Sequence, residues 1–193
     1  MQKSSPSKYR KNRLLRTLQP YALVILGGTL ALLGQCSTSW SDTNKFKYES
    51  ALNRRNEAMA FLDNFARTNS ARIYAASDYF WAVRSGAAPE TVAAKKSEFF
   101  DKRREAIIQE GVFISRGADY FGQEFKDTLY KELFVTYMSL DPQVQAYEIS
   151  KSAEDAKKFE ELETQANLLN GMLLGIARRK LSEGYFQPPD MHK

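Results

Sequence analysis

Apolar residues recur at helical spacing along most of the chain beyond residue 43, and no stretch alternates strictly between apolar and polar positions as a half-buried strand does. This periodicity predicts an all-α fold, an antiparallel bundle of about four main helices. The first helix is expected to begin at a cap within 41–43 and to end near Ser85-Gly86. Its apolar positions are Leu52, Met59, Leu62, Ala66, Ile73 and Phe80.

The second predicted helix, from Pro89 to a cap at Gly122, contains a seven-residue repeat. The repeat consists of Val92, Phe99, Ala106, Phe113 and Tyr120, followed one place on by Ala93, Phe100, Ile107, Ile114 and Phe121. Such a repeat indicates a narrow seam packed along a neighbouring helix. The charged residues between its members, Arg103 and Glu110 among them, are interpreted as a solvated face.

Two further helices complete the predicted bundle. The third has Phe125, Leu129, Leu133, Tyr137 and Leu140 on one face, and the last has Phe159, Leu162, Ala166, Leu169, Leu173 and Ile176. Asp141-Pro142 is typical of a cap and a helix restart. The segment Ser152–Asp155 marks a further restart or lies within one helix. The bundle is predicted to cover 44–184, and 185–193 to form a flexible tail.

A single continuous apolar run, Tyr21–Gly34, follows six basic residues with no acidic residue among them. This arrangement predicts a signal or anchor segment over 1–36, with a linker over 37–43. The basic end is expected on the cytoplasmic side and the bundle outside, in the periplasm of a bacterium. Because the strongly apolar part is shorter than the roughly 20 residues of a membrane span, an uncleaved anchor, lipidation and simple cleavage all remain open.

Cys36 is the only cysteine in the chain and lies directly after the apolar run. The segment Leu32-Leu33-Gly34-Gln35-Cys36-Ser37 resembles a bacterial lipoprotein signal, although Gln35 stands where that family has a small residue. The resemblance implies that Cys36 would be lipidated and would become the new N-terminus. The alternative is a plain thiol at the outer end of an anchor helix.

The net charge of +5 arises from the N-terminal region. The first 36 residues carry six basic side chains, which leaves 22 basic and 23 acidic residues in the remainder. The domain is therefore close to neutral, and a nucleic-acid partner is not expected. The expected partners are the membrane, through the N-terminal segment, and another envelope protein.

The residues that usually carry catalysis are scarce. The only histidine, His192, lies in the predicted tail, which argues against histidine-based catalysis or a zinc site in the bundle. Glycine-rich phosphate loops and nucleophile elbows are also missing. The sequence therefore predicts a protein that is not an enzyme and has no catalytic, cofactor-binding or metal-binding residues.

One cluster of aromatic residues, Tyr79, Phe80 and Trp81, is the candidate partner-binding site. Three adjacent residues cannot all point inward from one helix, and Trp81 is the one expected to be exposed. The sequence favours a non-enzymatic scaffold that binds another envelope protein. The alternative is a tethered sensor or carrier of a small hydrophobic ligand, which would need an aromatic-lined cavity of several hundred Å³.

Overall fold

The computed structural model describes the backbone of residues 7–183 and the side chains of residues 42–183. Over that range the chain forms helices joined by short connections, with no strand. The elements are α1 (Ser7–Arg84), α2 (Pro89–Phe121), α3 (Gln123–Asp127), a π-helix (Thr128–Leu133), α4 (Phe134–Ser150) and α5 (Ala153–Ser182). Because α3, the π-helix and α4 run without a break, the expected all-α fold with four principal helices is confirmed.

Internal contacts define one compact unit over Leu52–Gln187, and the rest of the chain is assigned to a second unit. Among residues 42–183, whose side chains the structure describes, no helix combines the length and the apolarity needed to cross a membrane. The predicted anchor over 21–34 and the candidate lipidation site Cys36 lie outside the described side chains. The predicted tail over 185–193 lies outside the described residues.

Helix α1 passes through 37–43 without a break. The helix cap expected there is therefore wrong, and the segment predicted as a linker is helical. No glycine or proline occurs between residues 37 and 43, and serine and threonine are only mildly unfavourable inside a helix. The predicted end of the helix is confirmed, because α1 stops at Arg84.

The buried face of α1 differs from the one expected. Leu52 and Met59 are 42% and 46% exposed, whereas Ile73 and Phe80 are buried as predicted. Most of the buried residues follow three interleaved seven-residue series: Ala58, Phe65, Arg72, Tyr79; Phe61, Thr68, Ala75, Ala82; and Leu62, Asn69, Ala76, Val83. Burial of large aromatic rings determines this face, since an aromatic side chain removes more apolar area from water than a leucine or methionine does.

Helices α1 and α2 run in opposite directions, because their aromatic contacts pair early residues of one with late residues of the other. Phe61 packs against Tyr120 with ring centroids 5.6 Å apart, and Tyr79 packs against Phe99 at 5.9 Å. The α2 repeat is confirmed from Phe99 to Tyr120, all of whose members are buried. In the companion series Phe121 is buried, while Ile107 is 44% exposed.

The π-helix explains how the run from residue 123 to residue 150 keeps its apolar face. Phe125, Leu129, Leu133 and Tyr137 are all fully buried although they are spaced by four residues, which would drift around a regular α-helix of 3.6 residues per turn. The wider turn of a π-helix, with its i→i+5 hydrogen bonds, compensates for that drift. The sequence pattern therefore predicted the buried face correctly and missed the π-helix.

The restart expected at Asp141-Pro142 does not occur. Helix α4 continues through Pro142 to Ser150, so Pro142 lies inside the helix. Asp141 does not cap a helix; its carboxylate accepts hydrogen bonds from two arginines, described below. The restart at Ser152 is real: the Ser152 hydroxyl accepts a hydrogen bond from the Asp155 backbone N–H at 3.1 Å and caps α5.

Candidate ligand groove between α2 and α4

A groove with a volume of about 740 Å³ lies between α2 and the run formed by the π-helix and α4. Its walls are mainly apolar and comprise Ile107, Ile114, Tyr130, Phe134, Val135, Met138 and Pro142. Its polar lining comprises Arg72, Arg103, Glu110, Lys131, Asp141 and Gln145. Because wall residues such as Met138 and Val135 are 76% and 53% exposed, the groove opens to solvent.

Arg72 is the charged group at the base of the groove and is only 3% exposed. Its Nη2 donates to Asp141 Oδ2 at 2.6 Å, and its Nη1 donates to Glu110 Oε1 at 3.3 Å. Arg72 of α1 therefore links a carboxylate of α2 to a carboxylate of α4. The guanidinium also lies over the Tyr137 ring, 4.1 Å from its centroid.

Arg103 of α2 joins this network from the more exposed side. Its Nε donates to the same oxygen of Asp141 at 2.8 Å, and its side chain is 40% exposed. No described residue is bonded to its two terminal nitrogens. One buried carboxylate oxygen thus accepts hydrogen bonds from two guanidinium groups, while part of the outer guanidinium keeps free hydrogen-bond donors.

Several buried polar atoms of this cluster have no hydrogen-bond partner among the described residues. They are the Arg72 Nε, the Asp141 Oδ1 and the Tyr137 hydroxyl. Burial raises the pKa of Tyr137, so its phenol stays neutral at physiological pH. Unpaired buried polar atoms are rare in folded proteins and each calls for an explanation, such as a bound water or ligand.

The backbone on the α4 side of the groove is irregular at two places. The π-helix carries Tyr130 and Lys131 into the lining. Pro142 has no backbone N–H, so the carbonyl of Met138 lacks its usual helical hydrogen bond. Short π-helices are frequent at functional sites, which makes this wall a natural candidate.

The buried charges are a poor explanation for stability. Replacing a buried ion pair by apolar residues of similar volume is often neutral or stabilising, because desolvation offsets most of the Coulombic gain. A site with a function commonly departs from the rule that cores are apolar. The cluster of Arg72, Asp141, Arg103 and Glu110 is therefore a functional candidate.

The predicted aromatic site divides between core and surface. Tyr79 and Phe80 are fully buried, and Phe80 stacks on Phe159 with ring centroids 4.2 Å apart. Trp81 is 50% exposed, which confirms the expectation that it is the outward-facing member. The Arg84 guanidinium lies 4.8 Å from the Trp81 ring centroid. The aromatic end of α1 is thus filled, and the groove described above lies elsewhere.

A second polar link joins α2 to α4 near Tyr79. Lys96 Nζ donates to Glu148 Oε2 at 2.6 Å. The Lys96 ammonium and the Tyr79 hydroxyl hold the pKa of Glu148 below its usual range. Burial, reinforced by the Glu148 carboxylate, raises the pKa of Tyr79. The Lys96 ammonium lies 5.9 Å from the centroid of the buried Tyr79 ring, and Lys96 and Glu148 also line a smaller groove of about 560 Å³.

Sequence reasoning missed the two central residues of the groove and misread two others. Arg103 and Glu110 were interpreted as solvated, yet both pair with buried partners. Asp141 was assigned to a helix cap. The available signal was Arg72, which occupies a seam position between Phe65 and Tyr79 where the repeat calls for an apolar side chain.

The side chains described by the structure include no group of three or more potential ligands placed to hold a metal ion. Comparison with known proteins gives no match to a family model, a curated protein or a solved structure. The functional argument therefore rests on the chemistry of the groove itself.

Proposed function

We propose that the protein is a non-enzymatic binding protein of the bacterial cell envelope, tethered by its N-terminal segment, whose bundle takes up an amphipathic small molecule in the groove between α2 and α4. The groove is the observation that carries this proposal. Its volume of about 740 Å³ falls within the range of ligand pockets, and apolar walls with a few placed polar groups are typical of them.

The groove supports the ligand carrier over the scaffold among the two functions that the sequence suggested, although its walls are mainly aliphatic and open to solvent where an aromatic-lined cavity was expected. A filled core without a cavity would favour a scaffold, whereas a ligand carrier needs space. Arg72 and Asp141 add fixed polar groups at the base of that space, which would orient a ligand within it. The tether is supported by the charge and hydropathy pattern of residues 1–36.

Filling the groove tests the proposal. Val135 lines the groove and is 53% exposed, so Val135→Trp would occupy ligand space without entering the core. Ile149→Trp is the matched control, because Ile149 lies on the same helix, is 86% exposed and does not line the groove. Full-length wild type and both variants would be purified in detergent, and small molecules extracted from each would be compared by mass spectrometry.

The expected result is a molecule that copurifies with wild type and with Ile149→Trp but is lost from Val135→Trp. An identical set of molecules from all three proteins, or none from any, would contradict the proposal.

Docking of another envelope protein is the second candidate function, and the exposed face of α1 favours it. Trp81 and Tyr74 are 50% and 68% exposed and lie seven residues apart, hence on one side of the helix. Exposed tryptophan beside an arginine is typical of binding hot spots. Trp81→Ala should reduce partner capture after cross-linking in cells while changing stability by at most about 1 kcal/mol. Capture unchanged in this variant would refute the role of Trp81.

A further inference from the structure

The groove carries more positive than negative charge, and its negative groups are already paired. The charged lining consists of Arg72, Arg103 and Lys131 against Glu110 and Asp141. Glu110 accepts from Arg72, and Asp141 accepts from both Arg72 and Arg103. The remaining electrostatic capacity is therefore cationic.

Arg103 holds most of that capacity in an accessible form. Its Nε is engaged by Asp141, which fixes the plane of the guanidinium, while its terminal nitrogens have no partner among the described residues. A guanidinium presents these nitrogens as a planar fork that matches the two oxygens of a carboxylate. Lys131 contributes less to anion binding, because its ammonium is paired with Asp127 Oδ1 at 3.1 Å, and Asp127 does not line the groove.

The buried base of the groove reinforces this preference. The Arg72 Nε is a charged donor that no described residue accepts from, in a side chain that is 3% exposed. A cationic ligand would face two guanidinium groups to reach the free oxygen of Asp141, so it is disfavoured. An anion instead meets the accessible terminal nitrogens of Arg103 before it reaches any carboxylate oxygen that lacks a partner.

Resting on the proposed function, we infer that the ligand is an amphipathic carboxylate whose acid group is bound by the terminal nitrogens of Arg103 and whose apolar body lies between Ile107 and Val135. The ligand class follows from apolar walls on both sides of a single accessible guanidinium. The arginine thus acts as the head-group anchor, and the walls select for an extended apolar body.

Paired probes of equal size separate head-group recognition from groove binding. Biphenyl-4-acetate and its neutral amide share one apolar body and differ in charge. Binding of each to the full-length protein would be measured by isothermal titration calorimetry, with empty detergent micelles as the blank. The acid should bind more tightly than the amide by roughly ten- to hundredfold, the range expected for a charge-assisted hydrogen bond.

Variants assign that preference to a residue. Arg103→Met should remove the preference for the acid while leaving amide binding unchanged, and Arg103→Lys should retain part of it because the charge remains without the fork. Arg104→Met is the matched control, since Arg104 is the exposed neighbour that does not line the groove, and it should leave both affinities unchanged. Thermal melting of each variant would verify that it is folded.

The outcomes distinguish the two claims. Equal affinity of wild type for acid and amide would overturn the carboxylate inference and leave the groove proposal standing. A preference for the acid that survives in Arg103→Met would overturn the role of Arg103. Binding of neither probe, or binding of both that persists in Val135→Trp, would overturn the groove as the site and the inference with it.

Discussion

Replacing Asp141 by asparagine should destabilise the protein strongly, because it removes the charge that two guanidinium groups share. The substitution keeps the shape of the side chain but leaves Arg72, which is 3% exposed, with Glu110 at 3.3 Å as its remaining carboxylate. Breaking a buried ion pair by removing one partner typically costs about 3–5 kcal/mol. Arg103 is 40% exposed and can turn toward water, so breaking its ion pair with Asp141 adds about 1 kcal/mol or less to the cost.

The assay is thermal unfolding of the full-length protein in detergent, followed by far-ultraviolet circular dichroism. For a chain of this size a loss of about 3–5 kcal/mol lowers the midpoint by roughly 6–20 °C. Asp127→Asn is the matched control, because it makes the same substitution in an exposed ion pair with Lys131 and should leave the midpoint essentially unchanged.

A double variant separates charge burial from packing. Arg72→Met with Asp141→Leu removes both buried charges and keeps similar volumes, so it should recover most of the stability lost in the single variant. An Asp141→Asn protein as stable as wild type would refute the reasoning, since it would mean that Arg72 does not depend on this carboxylate.

Four other substitutions test the packing and the pH response. Gly117→Ala should destabilise the protein by about 1–3 kcal/mol, because a new Cβ would lie 2.5 Å from Cε1 of the buried Phe125 ring. Gly111→Ala should instead stabilise it by about 0.5–1 kcal/mol, because nothing lies within 4 Å of the new Cβ. Denaturant unfolding would measure both changes and show their opposite signs. Phe113→Ala should cost about 3–5 kcal/mol in the same measurement, since Phe113 is 1% exposed, and a change near zero would mean that α2 is rotated. The pKa of Glu148 is lowered in the folded state, so its carboxylate stabilises the fold at neutral pH, and this stabilisation is lost as the pH falls below the ordinary value of 4.5. Glu148→Gln should therefore make the free energy of unfolding less dependent on pH at the acid end. An unchanged dependence there would contradict the role given to Glu148.

Periodicity predicted the fold class and most of the buried faces. The repeat in α2 was sufficient to identify Phe99 and Phe113 as core residues, because a single narrow seam leaves little freedom in how a helix packs. In α1 the same kind of repeat begins one residue earlier than expected, at Ala58. Several heptad series are interleaved there, and the aromatic residues Phe61, Phe65 and Tyr79 determine which of them face the core.

The groove could not be predicted from periodicity because it depends on pairs of charges far apart in the chain. Arg72 and Asp141 are 69 positions apart, and either residue alone resembles an ordinary polar position. The helical pattern is also the same whether Asp141 caps a new helix or lies inside a continuous one. Only the three-dimensional packing shows that its carboxylate faces Arg72.

The π-helix at Thr128–Leu133 has the geometry of a regular α-helix into which one residue has been inserted. Its wider turns absorb the extra residue, so Leu140 stays in the core and Asp141 stays beside Arg72. Deleting one residue within it should therefore let the helix close into regular turns and leave the later positions almost unmoved. Inserting one further residue directly after it should instead rotate every later position by roughly 100°. The groove should survive the deletion and be lost on the insertion, while the helical content stays almost unchanged in both variants.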